Sequence, residues 1–268
     1  MLQAVAEYGF MQNAVLASIF AAVICGIIGV IATQKKLLIM SGGIAHTAYG
    51  GVGLGYLLGF EPIIGACAFA VGSAFIIATV RKKTNVNTDT VVSLLWSLGM
   101  ALGVAFMGLM PGYFPDINSY LFGNILSVTR QDVKLMLCFT TVIVTAIVVF
   151  YNDWLSFLFD ENFSKINGLN TFLLEYFLFL LIALGIVVLI RVVGIILVIA
   201  LISSPAACAA LFAKSFKIQI LLASLFCLGF CLVGLALSYH FGIASGATIV
   251  IVSVAVYFVL FLTKRLKQ

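Results

Sequence analysis

The sequence predicts an all-α fold, a polytopic bundle of about eight or nine membrane-spanning helices forming a single transmembrane domain over residues 1–268. Three observations predict it. First, 64% of the residues are hydrophobic and 9% are charged, with a mean hydropathy of +1.26. Soluble domains carry about 25% charged residues, and no soluble fold of this size could hide so much apolar surface, so the solvent must be lipid. Second, the apolar runs are continuous and close to the roughly 20 residues that a spanning helix needs. A β-barrel would instead alternate in segments of about ten residues. Third, Lys and Arg gather in alternate gaps between the runs.

The runs follow in order at 10–33, 44–60, 63–80, 90–110, 134–151, 172–190, 192–210, 217–238 and 245–263. The first is too long for a secretory signal and lacks a basic leader. The sixth and seventh flank Arg191 with almost no gap, so they read either as two spans or as one broken helix. Lys35 and Lys36 follow the first run, and Arg81, Lys82 and Lys83 follow the third. Lys165, Lys214 and Lys217 occupy later gaps, and Lys264, Arg265 and Lys267 close the chain. With nine spans and the N-terminus outside, these eleven basic residues face the cytoplasm, and only Arg130, Lys134 and Arg191 do not. Basic residues mark the cytoplasmic side, so the expected orientation is N-out and C-in, in the cell membrane. The net charge of +5 reflects this sidedness and not nucleic-acid binding.

Residues 111–133 and 152–171 are part apolar and part polar, and read as short interfacial helices. The six cysteines (25, 67, 138, 208, 227 and 231) lie in apolar stretches and predict packing, not disulfides. Cys227 and Cys231 share a helix face as a conceivable soft-metal pair. Asp89 opens the fourth run, with Thr88 as a possible cap. Asp160 and Glu161 read as a solvated face, and Glu175 and Arg191 as side chains snorkelling near span ends. The chain has no GxxxxGK[ST] loop, so it has no ATPase site of that type and is not expected to be an enzyme.

Two histidines carry the chemical signal. His46 stands in "SGGIAHTAYGG", 41–51, amid four glycines. A neutral imidazole ligates zinc, manganese or iron, and an ionisable group inside a membrane tends to mark a pathway. One histidine cannot hold a metal alone, so a second copy beside His46 would have to supply another ligand. His240, in "LSYHFGIASGATIV", reads as an interfacial side chain and stands second. A third stretch, "GIILVIALISSPAACAALFAKSF" at 194–216, runs into Ser203, Ser204 and Pro205, where proline is expected to restart a short Ala-rich helix ending at Lys214.

Taken in order, "SGGIAHTAYGGVGLGYLLG", "SYLFGNIL" with "RQDV", "FDENFSKINGL", "RVVGIILVIALISSPAACAALFA" and "SYHFGIASGATIVIV" resemble the permease subunits of ABC importers for divalent metals, over nearly the whole chain. The resemblance implies a pair of permeases, expected to be a homodimer, with two cytoplasmic ATP-binding subunits and an extracytoplasmic metal-binding protein. It implies no permanently bound cofactor, with ATP held on the partner. His46 would match a histidine of the gate or transient pore site. Ser204, Pro205, Ala206, Ala207, Ala209 and Lys214 would match the coupling helix that docks on the ATPase. Many relatives carry an acid at the positions of Gly42 and Gly242. Losing those carboxylates removes hard oxygen ligands and shifts the expected cargo to zinc ahead of manganese. The competing classes are a proton- or sodium-coupled secondary transporter and a non-transporting scaffold. The first calls for midplane acids or inverted repeats, and neither is evident in the sequence.

Overall fold

The computed structural model describes residues 7–84, 86–110 and 117–266, and these are helical with no strand among them. The helices are α1 (Gly9–Gln34), α2 (Leu38–Leu58), α3 (Pro62–Lys83), α4 (Thr88–Gly108), α5 (Ile117–Phe122), α6 (Arg130–Val149), α7 (Tyr151–Phe159), α8 (Glu161–Ile166), α9 (Thr171–Ala210), α10 (Phe216–Phe241) and α11 (Ser245–Arg265). Seven of them are long and apolar enough to cross a membrane: α1, α3, α4, α6, α9, α10 and α11. To these α2 adds 21 residues, about 31 Å. Its glycines and His46 dilute its hydropathy without shortening it. The interfacial helices expected at 111–133 and 152–171 are α5 with a short 3₁₀ turn at Ile125–Ser127, and α7 with α8. Residues 111–116 lie outside the described residues, as does Lys267.

The chain divides into two compact units. One comprises residues 1–33, 116–140 and 188–268, and the other residues 34–115 and 141–187. In the first unit α10 packs on α1 and on the π-helical turn Cys25–Gly29 inside it, and α11 packs on α10. In the second, α2 packs against both α3 and α4. A methyl at Gly51 would strike the Gly65 carbonyl, so these two glycines bring α2 and α3 to backbone contact.

The boundary expected at Arg191 falls three residues later. At Gly194 the backbone takes φ 80° and ψ 168°, a region that only glycine enters freely. Gly194 lies against Leu121–Gly123. Gly246, at the start of α11, lies against Phe122 and Val193. Asn13, near the start of α1, donates to the Val128 carbonyl at 3.1 Å, which places the beginning of α1 at the same end of this unit. The residues after Gly194 then run down α1, with Ile202 and Ala206 meeting Gly29. Lys264, at the end of α11, reaches the Leu211 carbonyl. The chain therefore doubles back at Gly194. Residues 171–193 and 195–210 are two passes of about 34 and 24 Å, which makes nine passes among the described residues. Arg191 does not end a helix because it has partners. Its guanidinium meets Asp132 at 3.0 Å and lies 5.1 Å from the Tyr120 ring centre.

Candidate metal-handling site

α2 is buried along most of its length because glycine and alanine let α3 and α4 close on it. His46 sits in this buried stretch with 6% of its surface exposed. The Trp96 ring of α4 stacks on it, with centroids 4.0 Å apart and planes 10° from parallel. Thr47 ties the two helices beside it, donating to Gly43 of its own helix at 2.7 Å and to Leu95 of α4 at 3.1 Å. A methyl at Gly99 would collide with the Thr47 backbone, so the crossing of α2 and α4 is close at this level. The ring of His46 is thus fixed by stacking, yet its Nδ1 is buried with no hydrogen-bond partner among the described residues. A buried polar nitrogen without a partner is costly, and a passing cation is one group that could meet it.

No group of three His, Cys, Asp or Glu side chains among the described residues is placed to hold a metal. Among the described residues His46 therefore stands as a single imidazole at this level of α2. His240 is exposed in the last turn of α10, edge-on to Tyr239 with centroids 6.0 Å apart. Gly42 is buried in α2. Gly242 has φ 65° and closes α10 as a left-handed cap, its N–H bonded to the Ser238 carbonyl. The conformation favours glycine there over aspartate. Cys227 and Cys231 are buried free thiols, as is Cys25.

The helix expected to restart at Pro205 differs from expectation. Pro205 opens no new helix, because α9 continues unbroken through it to Ala210. Ser204, Pro205, Ala206 and Ala209 are buried within the protomer and Ala207 is half-buried. The Ser204 hydroxyl has no hydrogen-bond partner among the described residues. Lys214 is exposed. The reason is packing. Ala206 lies against Gly29, so this alanine serves a close crossing with α1.

Sequence reasoning missed an ion cluster at the inner end of α3. Glu175, read as snorkelling, is buried and paired with Arg81 at 3.4 Å and Lys82 at 2.9 Å. Glu161, read as solvated, accepts from Lys82 at 2.6 Å and faces Lys165 at 3.2 Å. Burial pushes the Glu161 carboxyl up, but its bonds to Lys82 and Lys165 outweigh that and hold it below the usual carboxylate range. Lys35, between α1 and α2, lies 4.0 Å from the Phe157 ring centre, and burial lowers its ammonium below the usual lysine value. Asp160 caps α8, accepting from Asn162 and Phe163. Asn87, not Thr88, caps α4 by accepting from the Asp89 N–H. The gathering of Lys and Arg in alternate gaps was readable, but the register that pairs them with Glu161 and Glu175 was not. Trp96 was also missed. Its signal was a tryptophan inside a span and away from the interfacial belts where tryptophan gathers.

The chain as a whole is similar to known proteins. The model of the ABC 3 transport family matches residues 7–264. An uncharacterized membrane protein of Synechocystis is 40% identical over 97% of this chain and 92% of its own length. The manganese transport system membrane protein MntC of Listeria innocua is 33% identical over 97% and 93%. The structure of PsaBC from Streptococcus pneumoniae in complex with Fab superposes with a TM-score of 0.88 at 30% identity, covering 97% of this chain and 94% of that one. With a glycine-lined histidine helix, nine apolar passes among the described residues and a family match over residues 7–264, this multi-pass membrane chain belongs to the ABC 3 transport family.

Proposed function

We propose that the chain is the permease subunit of an ATP-driven importer of a divalent transition-metal ion, manganese ahead of zinc. The observation that carries the reading is His46, a buried imidazole locked by Trp96 with its Nδ1 unpartnered. A pore site must bind well enough to strip part of a cation's water and weakly enough to release it. One imidazole per copy suits that task better than a closed four-ligand cage. The missing carboxylates at Gly42 and Gly242 argued for zinc. The relatives named for manganese transport support manganese, and a cation that keeps several waters needs no carboxylate cage, since water suits manganese as a ligand.

The partners follow from kinship and chemistry: cytoplasmic ATP-binding subunits, an extracytoplasmic metal-binding protein and a second copy of the permease. α4 supplies the self-facing surface. Ser93, Ser97, Ala101 and Ala105 are exposed at four-residue spacing, beside Trp96. Small residues at such spacing let helices approach closely in lipid. Two such faces meeting would carry two His46–Trp96 pairs toward one axis. Ser97→Cys should then form a disulfide-linked dimer under mild oxidation, whereas the lipid-facing variant Leu262→Cys should not. Absence of the Ser97→Cys dimer would remove α4 from the interface.

For ATPase docking, burial removes Ser204, Pro205, Ala206 and Ala209 from the outer surface and leaves Ala210, Phe212 and Lys214. On the other cytoplasmic connection, α7 and α8 expose Phe159, Phe163 and Ile166. These apolar residues suit a protein partner. The function is tested by uptake of manganese and zinc in the reconstituted complex, with His46→Ala beside the wild type. Manganese uptake should fall at least about tenfold in the variant while the ATP-binding subunit still co-purifies. Wild-type uptake by His46→Ala ends the proposed role.

A further inference from the structure

Within the second unit, the corner between α6 and α7 and the first turns of α9 enclose an open groove of about 390 Å³. Phe150, Leu169, Leu173, Leu174 and Phe177 form its walls, and Asp153 and Asn170 supply its polar edge. The walls are firm. Phe150 meets Phe177 edge-on at 6.5 Å, and the buried Trp154 stacks behind Phe177 at 5.9 Å while its indole N–H donates to the Ala146 carbonyl. Asn170 is engaged as the cap of α9, accepting from the Leu173 N–H at 3.1 Å. Asp153 is different. It is half-buried, and its carboxylate has neither a hydrogen bond nor an ion pair among the described residues.

That is unexpected on the basic side of the protein. None of the cations of this unit's inner end pairs with Asp153 among the described residues: Arg81 and Lys82 hold Glu175, Lys82 and Lys165 hold Glu161, Lys35 lies over Phe157, Lys83 lies over Phe172, and Lys36 is exposed. A carboxylate partly withdrawn from water gains most from a hydrogen-bonding cation. The place sets which cation. α6 ends at Val149 and α9 starts at Thr171, both at the inner ends of spans, so the groove lies where acyl chains meet head groups. Its mouth is flanked by Phe150 and Leu173, the latter 62% exposed. An apolar trough with one unpaired acid at its rim, at that depth, complements a lipid tail joined to an ammonium head.

We propose that this groove binds one phospholipid with an amine head group, of the phosphatidylethanolamine class. Its acyl chain lies along Phe150, Leu173, Leu174 and Phe177, and its ammonium donates to Asp153. An anionic head group would set like charge against the same carboxylate. The lipid braces α7 against the start of α9, and this binding stands independently of which ion the protein carries.

The test uses the purified, delipidated full chain with phosphatidylethanolamine and phosphatidylglycerol added at equal concentration, followed by native mass spectrometry. The wild type should retain the ethanolamine lipid about tenfold better, the weight of one charge-assisted hydrogen bond. Asp153→Asn should level the two lipids. Leu174→Trp should fill the trough and lower retention of both, while the acid stays in place. Carbodiimide treatment of wild type with the ethanolamine lipid should join the Asp153 carboxyl to the lipid amine as an amide, with the lost water taken up as the urea. Equal retention by the wild type, a preference that survives Asp153→Asn, or no carbodiimide linkage between Asp153 and the lipid amine would each overturn the proposal.

Discussion

Glu175 shows how a single acid can be read wrongly when its partners are invisible. Alone near a span end it reads as a snorkelling side chain. In the fold it is buried and shared by Arg81 and Lys82, and Lys82 in turn holds Glu161 of the cytoplasmic connection. The charges compensate one another, so removing one exposes the rest. Breaking a buried pair by deleting one partner costs about 3 kcal/mol or more, because the remaining charge stays withdrawn from water. Glu175→Gln should therefore lower the thermal unfolding midpoint of the detergent-solubilised protein by several degrees. Lys165→Gln, at the exposed rim of the same cluster, should barely move it. Equal shifts from the two variants would show that the buried acid has no special weight.

At the scale of elements, a continuous apolar run has no internal punctuation except residues that need a particular backbone. Most helix limits were therefore legible: the run at 245–263 is α11 and that at 217–238 is α10 to within three residues. The reversal after the sixth run was legible only as a choice at Arg191. The charge attracted attention, but Gly194 makes the turn, and nothing local distinguishes it from glycines that merely pack. His46 was legible because a histidine in lipid is expensive wherever it points. Its stacking partner was not, because Trp96 lies 50 residues away and the α2–α4 register is set by glycines at 43, 50, 53, 99 and 103 acting together. The ordering of Pro205 failed for a related reason: proline within a membrane helix is tolerated when neighbours fill in around it. Gly194→Ala follows from the turn. It places a side chain at φ 80° and drives a methyl into Gly123 and Leu121, so strain and overlap together should cost about 3 kcal/mol or more. Folded yield after membrane extraction should collapse. Gly229→Ala, where a methyl meets nothing within 4 Å, should leave yield unchanged. Normal yield from Gly194→Ala would mean the turn is not made there.

For the whole molecule, the turn at Gly194 decides on which side every later segment lies. If residues 171–210 crossed once, the connection at 211–215 would emerge outside and Gly242 inside, and the C-terminus would be outside. With two passes the order inverts: Lys214 is cytoplasmic, Gly242 extracytoplasmic and Arg265 cytoplasmic. The second assignment agrees with Lys214, Lys217, Lys264 and Arg265 all being basic. It also agrees with Ser245, at the start of α11, accepting from the Ile125 N–H at 2.9 Å beside the beginning of α1. Single cysteines at Ser127, Asn162, Lys214 and Phe241, placed in a chain whose native cysteines are replaced by alanine or serine, separate the two. A membrane-impermeant maleimide added to intact cells should label positions 127 and 241 only, and positions 162 and 214 should react once the membrane is opened. Positions 127 and 162 precede the turn and read the same in either topology, so they control for access. Positions 214 and 241 exchange sides, and labelling of 214 in intact cells would replace nine crossings with eight.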